Sequence, residues 1–136
     1  MPAAVYNYLG FYLNEVKYVN EQKDNTYIKI NTNDYYNEKT NDYHLFVKVS
    51  ADFANEESYF VFQGLFKIED VNWYNSIPDS YRKSIFFSIV FPFVREKILT
   101  ITSDSNQGLF IPTIDLKGFD FNKEFKLIKK TNNKEQ

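Results

Sequence analysis

Apolar and polar positions alternate cleanly over residues 43–53. Tyr43, Leu45, Val47, Val49, Ala51 and Phe53 fall on one side, and His44, Phe46, Lys48, Ser50 and Asp52 on the other. A period of two marks a half-buried strand, because successive side chains point to opposite faces of a sheet. After a short hairpin connection at Asn55-Glu56-Glu57, residues 58–70 return with Phe60, Phe62, Phe66 and Ile68 on one face. Gly64 inside that run marks a bulge or the close approach of another backbone. Residues 5–19 (VYNYLGFYLNEVKYV) read as a long strand in which Leu9, Phe11 and Leu13 share a face. Val16 and Tyr18 are out of step with them, and a one-residue bulge near Asn14-Glu15 would restore the phase. Residues 26–33 form a weaker strand with Ile28 and Ile30 inward and Tyr27 and Lys29 outward, followed by a polar loop over Asp34–Asp42. Four strands on short polar connections predict an antiparallel meander.

The pattern changes after the crossover Asn72–Ser80, which carries the only Trp and ends on Pro78. From Asp79 or Ser80, either of which could cap a helix, the chain reads as helical to about Ser103. Between Ile85 and Val94 nearly every residue is apolar, with polar relief only from Ser88. A helix that is apolar all round needs cover on more than one side, which one small sheet cannot give. Pro92 removes the bond to the carbonyl of Ser88 and predicts a kink. Gly108 is a plausible stop, and Leu109–Phe121 reads as extended. Asp120 can then cap a last short helix with Phe121, Phe125 and Ile128 at i, i+4 and i+7. The fold class is therefore α+β: a four-stranded antiparallel meander sheet packed on one long Pro-containing helix, plus a short C-terminal helix. With 136 residues the chain forms a single domain, 1–136, with flexible ends at 1–4 and 131–136.

Charge is nearly balanced, 16 basic residues against 18 acidic, so nothing global favours nucleic acid or an anionic membrane. The halves differ: residues 1–78 carry a net −5 and residues 79–136 a net +3. Solvated faces of two layers, or an acidic docking face on the first half, would both give that asymmetry. The absence of cysteine rules out disulfides and thiolate metal sites and suits a reducing cytosol. No signal peptide is visible, and the apolar run of the helix falls short of the ~20 residues that span a bilayer. A cytoplasmic protein without membrane insertion is the expectation.

Candidate chemistry is sparse. His44 is the only histidine and lies on the polar side of its strand, so a His-based metal site has no second ligand. Glu56-Glu57 and Glu69-Asp70 are adjacent carboxylates, and strand neighbours point to opposite faces. Four scattered glycines make no phosphate loop. The aromatic-rich half of the sheet is also the acidic half, which argues against nucleic-acid binding. No enzyme and no cofactor are expected. What remains is apolar surface in excess, in the crossover (Trp73, Tyr74, Ile77) and after the helix (Phe110, Ile114, Leu116, Phe119, Phe121). Those residues either cover the sheet edge and a subunit contact or line a groove for an extended apolar peptide.

Phe91-Pro92-Phe93-Val94-Arg95-Glu96, preceded by Ile89-Val90 and followed by Ile98, resembles the helix signature of the SecB-like protein-export chaperones. Ile111–Leu116 stands where that family has a Pro-containing extended linker. Phe119-Asp120 would open its last helix, and Gly64-Leu65-Phe66-Lys67-Ile68 looks like its fourth-strand pattern. The resemblance implies a holdase for unfolded polypeptides, assembled as a dimer or a dimer of dimers with long helices between sheets. Phe86, Ile89, Val90, Phe93 and Val94 would then form the oligomer helix, and client grooves would be lined by Tyr27, Ile28, Trp73, Tyr74, Ile77, Phe119 and Phe121. Of the acidic residues through which export members dock SecA, Glu15 matches one. Val19 and the region around Tyr59 do not match, nor does the last stretch of the chain match the family's acidic tail, so SecA is a doubtful partner. The expectation is an ATP-independent holdase for unfolded or nascent chains. The alternatives are a dedicated adaptor or antitoxin-type chaperone for one partner, and a non-chaperone homo-oligomeric interaction protein.

Overall fold

A computed structural model describes residues 4–18, 25–53, 56–103 and 124–128, with backbone alone for 25–27, 52–53, 56 and 124–128. The elements run β1 (Tyr6–Lys17), β2 (Asn25–Asn37), β3 (Asp42–Phe53), β4 (Glu56–Ile68), α1 (Val71–Ser76), α2 (Asp79–Thr102) and β5 (Glu124–Ile128). The class is α+β, an open antiparallel sheet with helices, and the strand order is β1-β4-β3-β2-β5. The hairpin run β2-β3-β4 is a meander, while β1 crosses over to pair with β4. No helix among the described residues is long and apolar enough to cross a membrane.

The core lies between one face of the sheet and α2. Tyr43, Leu45, Val47 and Val49 of β3 and Phe60, Phe62 and Phe66 of β4 are fully buried beneath Phe86, Val90 and Val94 of α2. Close approach is possible because β4 has no side chain at Gly64: a Cβ there would lie 2.6 Å from Val90 Cγ2. The glycine answers the helix above it, and β4 keeps register with β3 through it.

The phase break in β1 is a bulge: the register with β4 shifts between Leu13 and Glu15, which brings Val16 opposite Phe60. A second shift between Tyr8 and Gly10 ejects Leu9 from the face it was expected to share with Phe11 and Leu13, leaving it 51% exposed. The two shifts together put Tyr6, Tyr8, Phe11, Leu13 and Val16 opposite the inward row of β4.

Three boundaries differ from the sequence reading. The polar segment after Asn33 continues as strand to Asn37, and the reversal is a turn at Glu38–Asn41 with Asn41 in the left-handed region (φ 62). Its polar groups find partners: Tyr43 Oη donates to Asp34 Oδ2 at 2.8 Å and Tyr36 Oη to Asn41 Oδ1 at 2.8 Å. The crossover holds a six-residue helix, α1, capped by Asp70, whose carboxylate accepts from the Trp73 amide at 3.0 Å. Glu124–Ile128 is a strand on the edge of β2, where a last short helix was expected. A free strand edge offers backbone partners at once, whereas so short a helix is marginal without packing.

Helix α2 runs unbroken through Pro92 and is capped at its start by Pro78 with no side-chain bond, rather than by Asp79 or Ser80. Its far side is not apolar throughout, because Ser84, Ser88, Pro92, Glu96 and Thr100 recur every four residues and form a narrow ridge on which only Pro92 lacks a polar side chain. Phe87 and Phe91 join the core as well, with rings stacked at 4.7 Å. Of the proposed oligomer residues, Phe86, Val90 and Val94 are spent on the chain's own sheet, and only Ile89 and Phe93 keep exposed surface.

Candidate functional site

Apart from single exposed side chains such as Tyr35, Tyr81 and Leu99, two regions bring apolar side chains together near the surface. The first lies along the β1 edge. Among the described residues the exposed large apolar side chains include Tyr8 (39%), Leu9 (51%), Tyr12 (49%) and Val16 (46%) of β1 and Phe93 (44%) of α2. Phe93 lies parallel to Tyr8 at 5.9 Å and reaches Phe11 at 5.8 Å, so helix and edge strand share one apolar flank. Tyr8 and Val16 sit on the helix side of β1 and Tyr12 on the other side, which spreads the apolar surface around the strand edge. The Tyr8 hydroxyl has a raised pKa from partial desolvation, with Tyr12 adding to it.

The second region is the crossover. Trp73 is half-buried, 5.7 Å from the Tyr6 ring and 6.4 Å from Phe86. Tyr74 is 5% exposed and packs against Tyr36, with ring centres 4.4 Å apart and planes tilted by 30°. The Arg82 guanidinium covers the outer side of that ring at 4.3 Å, and its Nε donates to the Tyr74 carbonyl at 3.0 Å. Burial raises the Tyr74 pKa, an effect that Arg82 partly offsets. Tyr43 beneath is pushed far above the ordinary tyrosine range, first by burial and then by the Asp34 carboxylate.

The client-groove residues are not assembled into one surface. Trp73, Tyr74 and Ile77 come together on α1, with Ile77 half-buried as its C-cap. Ile28 is 2% exposed and pairs with Ala51, eight residues of β2 away from the Tyr36–Tyr43 pair that neighbours Tyr74. Eight residues of strand span about 27 Å. Ile28 and Tyr74 are therefore core side chains in this chain and offer no open groove. The side chain of Tyr27, and Phe119 and Phe121 entirely, lie outside the described residues. Tyr8, Leu9, Tyr12 and Val16 were missed; the excess of large apolar side chains over both phases of residues 6–16 was the available signal.

Polar candidates resolve into structural pairs. Glu15 on the outer sheet face accepts from Tyr59 Oη at 2.5 Å, a bond that raises the Tyr59 pKa, and Lys48 lies over the same ring at 4.9 Å. His44 Nδ1 is 2.8 Å from Gln63 Nε2, whose oxygen accepts from Asn14. Glu69 accepts from Asn7 at 2.5 Å and Asp70 caps α1, so both carboxylates beside the 590 Å³ hollow near Val71 have partners. No group of three or more His, Asp or Glu that could hold a metal occurs among the described residues. Set against known proteins, the chain matches no family profile and no curated sequence.

Proposed function

We propose that this chain is an ATP-independent holdase of the SecB-like kind, assembled from like copies that cover the β1 edge and the Phe93 flank. One observation carries it: Tyr8, Leu9, Tyr12, Val16 and Phe93 are exposed along one edge strand and the helix beside it. Isolated exposed apolar residues need no explanation, but a contiguous set marks an interaction surface. An edge strand of this kind also carries unpaired backbone groups that another strand can meet. The helix motif from Phe91 to Glu96 supports the same reading from the sequence. Such an assembly repeats the crossover surface around the half-buried Trp73 and Ile77 once per copy, and weak contacts with several of these would hold an unfolded chain through effective concentration, without nucleotide.

The discriminating assay is suppression of aggregation without nucleotide, using chemically unfolded citrate synthase and unfolded luciferase as unrelated clients. A general holdase delays precipitation of both at stoichiometric concentration. A chain that leaves both precipitation curves unchanged while forming a stable oligomer is a dedicated adaptor, the second reading, which the same exposed flank supports.

A further inference from the structure

The crossover helix is held differently from the elements beneath it. Of its six residues only Tyr74 is buried; Val71, Asn72, Asn75 and Ser76 are exposed and Trp73 is half-buried. A helix this short has no stability of its own and persists only through its contacts. Extended residues bound it on both sides, Asp70 (φ −117, ψ 96) and Ile77 (φ −97, ψ 132). Beneath it, Phe86 contacts Phe66 at 4.7 Å and Tyr43 at 4.2 Å, so the aromatic floor is held by the sheet and α2 without α1. Tyr74 and Trp73 fill the recess above that floor, against Tyr36 and Tyr6.

One side chain ties this cover to the long helix. Arg82, on the first turn of α2, donates from Nε to the Tyr74 carbonyl and lays its guanidinium on the Tyr74 ring, while its other arm bonds Asp79 at 2.6 Å. Its planar fork makes both contacts with Tyr74 at once, which a lysine cannot reproduce. We infer that α1 is a cover latched by Arg82, and that Tyr74 and Trp73 occupy the place which an aromatic or large aliphatic side chain of an extended polypeptide takes when the latch opens. The inference rests on the holdase reading for the ligand's class. It adds that the recess is closed in the resting chain and that Arg82 sets its opening. Segments with few buried contacts open at lower free energy than the core, so this route exposes the recess without unfolding the sheet.

Hydrogen exchange and Trp73 emission on the full chain test it, with Arg82→Ala and Arg82→Lys beside the native protein. Arg82→Ala is expected to speed exchange across residues 73–77 about tenfold, the factor expected for loss of one such tie, and to shift Trp73 emission to the red. Exchange in β3 and the middle of α2 should be unchanged, and Arg82→Lys should fall between. Binding of reduced, carboxymethylated α-lactalbumin should tighten several-fold in Arg82→Ala. Unchanged exchange and emission at the crossover would overturn the latch. Equal acceleration in β3 and α2 would reduce Arg82 to a general stabiliser and overturn it too. A crossover that opens with no gain in α-lactalbumin binding would overturn the recess as the site. Aggregation suppression by the native chain reads the holdase proposal separately, so failure of either is distinguishable.

Discussion

Strands β3 and β1 have similar lengths and opposite fates. β3 has a neighbour on each side and α2 above, and its inward side chains from Tyr43 to Ala51 are at most 1% exposed. β1 has one neighbour, two register shifts and four large apolar side chains left partly in solvent. The helix that closes over β3 reaches β1 through Phe86 at Tyr6 and through Phe93 at Tyr8 and Phe11, but Leu9, Tyr12 and Val16 stay about half exposed, so the edge carries more apolar surface than the single chain covers. Burial is thus set by position in the sheet order at least as much as by the residue: Val49 of β3 and Val16 of β1 are the same residue on the same face, yet one is fully buried and the other 46% exposed.

Substitutions can break or sharpen this contrast. Phe66→Ala, which removes a ring touching Tyr6, Tyr8, Tyr43 and Phe86, should cost about 3–5 kcal/mol in urea unfolding. Gly64→Ala should cost about 1–3 kcal/mol, because the new methyl meets a β-branched Val90 that cannot swing aside. Tyr43→Phe should cost about 1–2 kcal/mol through its lost bond to Asp34. The native Tyr43 also predicts a pH effect: its folded pKa is raised above the unfolded value near 10. Its contribution is therefore complete below about pH 10 and declines as pH rises further, a slope that Tyr43→Phe should flatten. At the edge, Leu9→Ser with Tyr12→Ser should change the stability of the single chain by no more than about 0.5 kcal/mol each, since both side chains are half in solvent. The same pair should lower the mass of the assembly, whereas the core substitutions act on stability first.

The legible part of the fold was the part governed by one strong period. The alternation of β3 and β4 and the bulge after Leu13 both follow from it. The bulge at Leu9 was hidden because Leu9, Phe11 and Leu13 already fit a period of two, and only the pairing with β4 reveals the slip. The strand character of Asp34–Asn37 was hidden because its polar side chains take their partners from Asn41 and Tyr43 across the turn. At 124–128 the spacing of Phe121, Phe125 and Ile128 suits a helix, but the open edge of β2 decides for a strand. For the site, periodicity could say that Ile28 points inward but not that Tyr74 would be sealed beneath Arg82. Nor could it say which phase of β1 the helix leaves bare.

The central claim is that like copies cover the β1 edge and the Phe93 flank. Static light scattering of the purified chain at micromolar concentration tests it most directly. The account predicts the mass of a dimer or tetramer of the 16.2 kDa chain, falling toward one chain in the Leu9→Ser, Tyr12→Ser variant. A native mass of 16.2 kDa would contradict it.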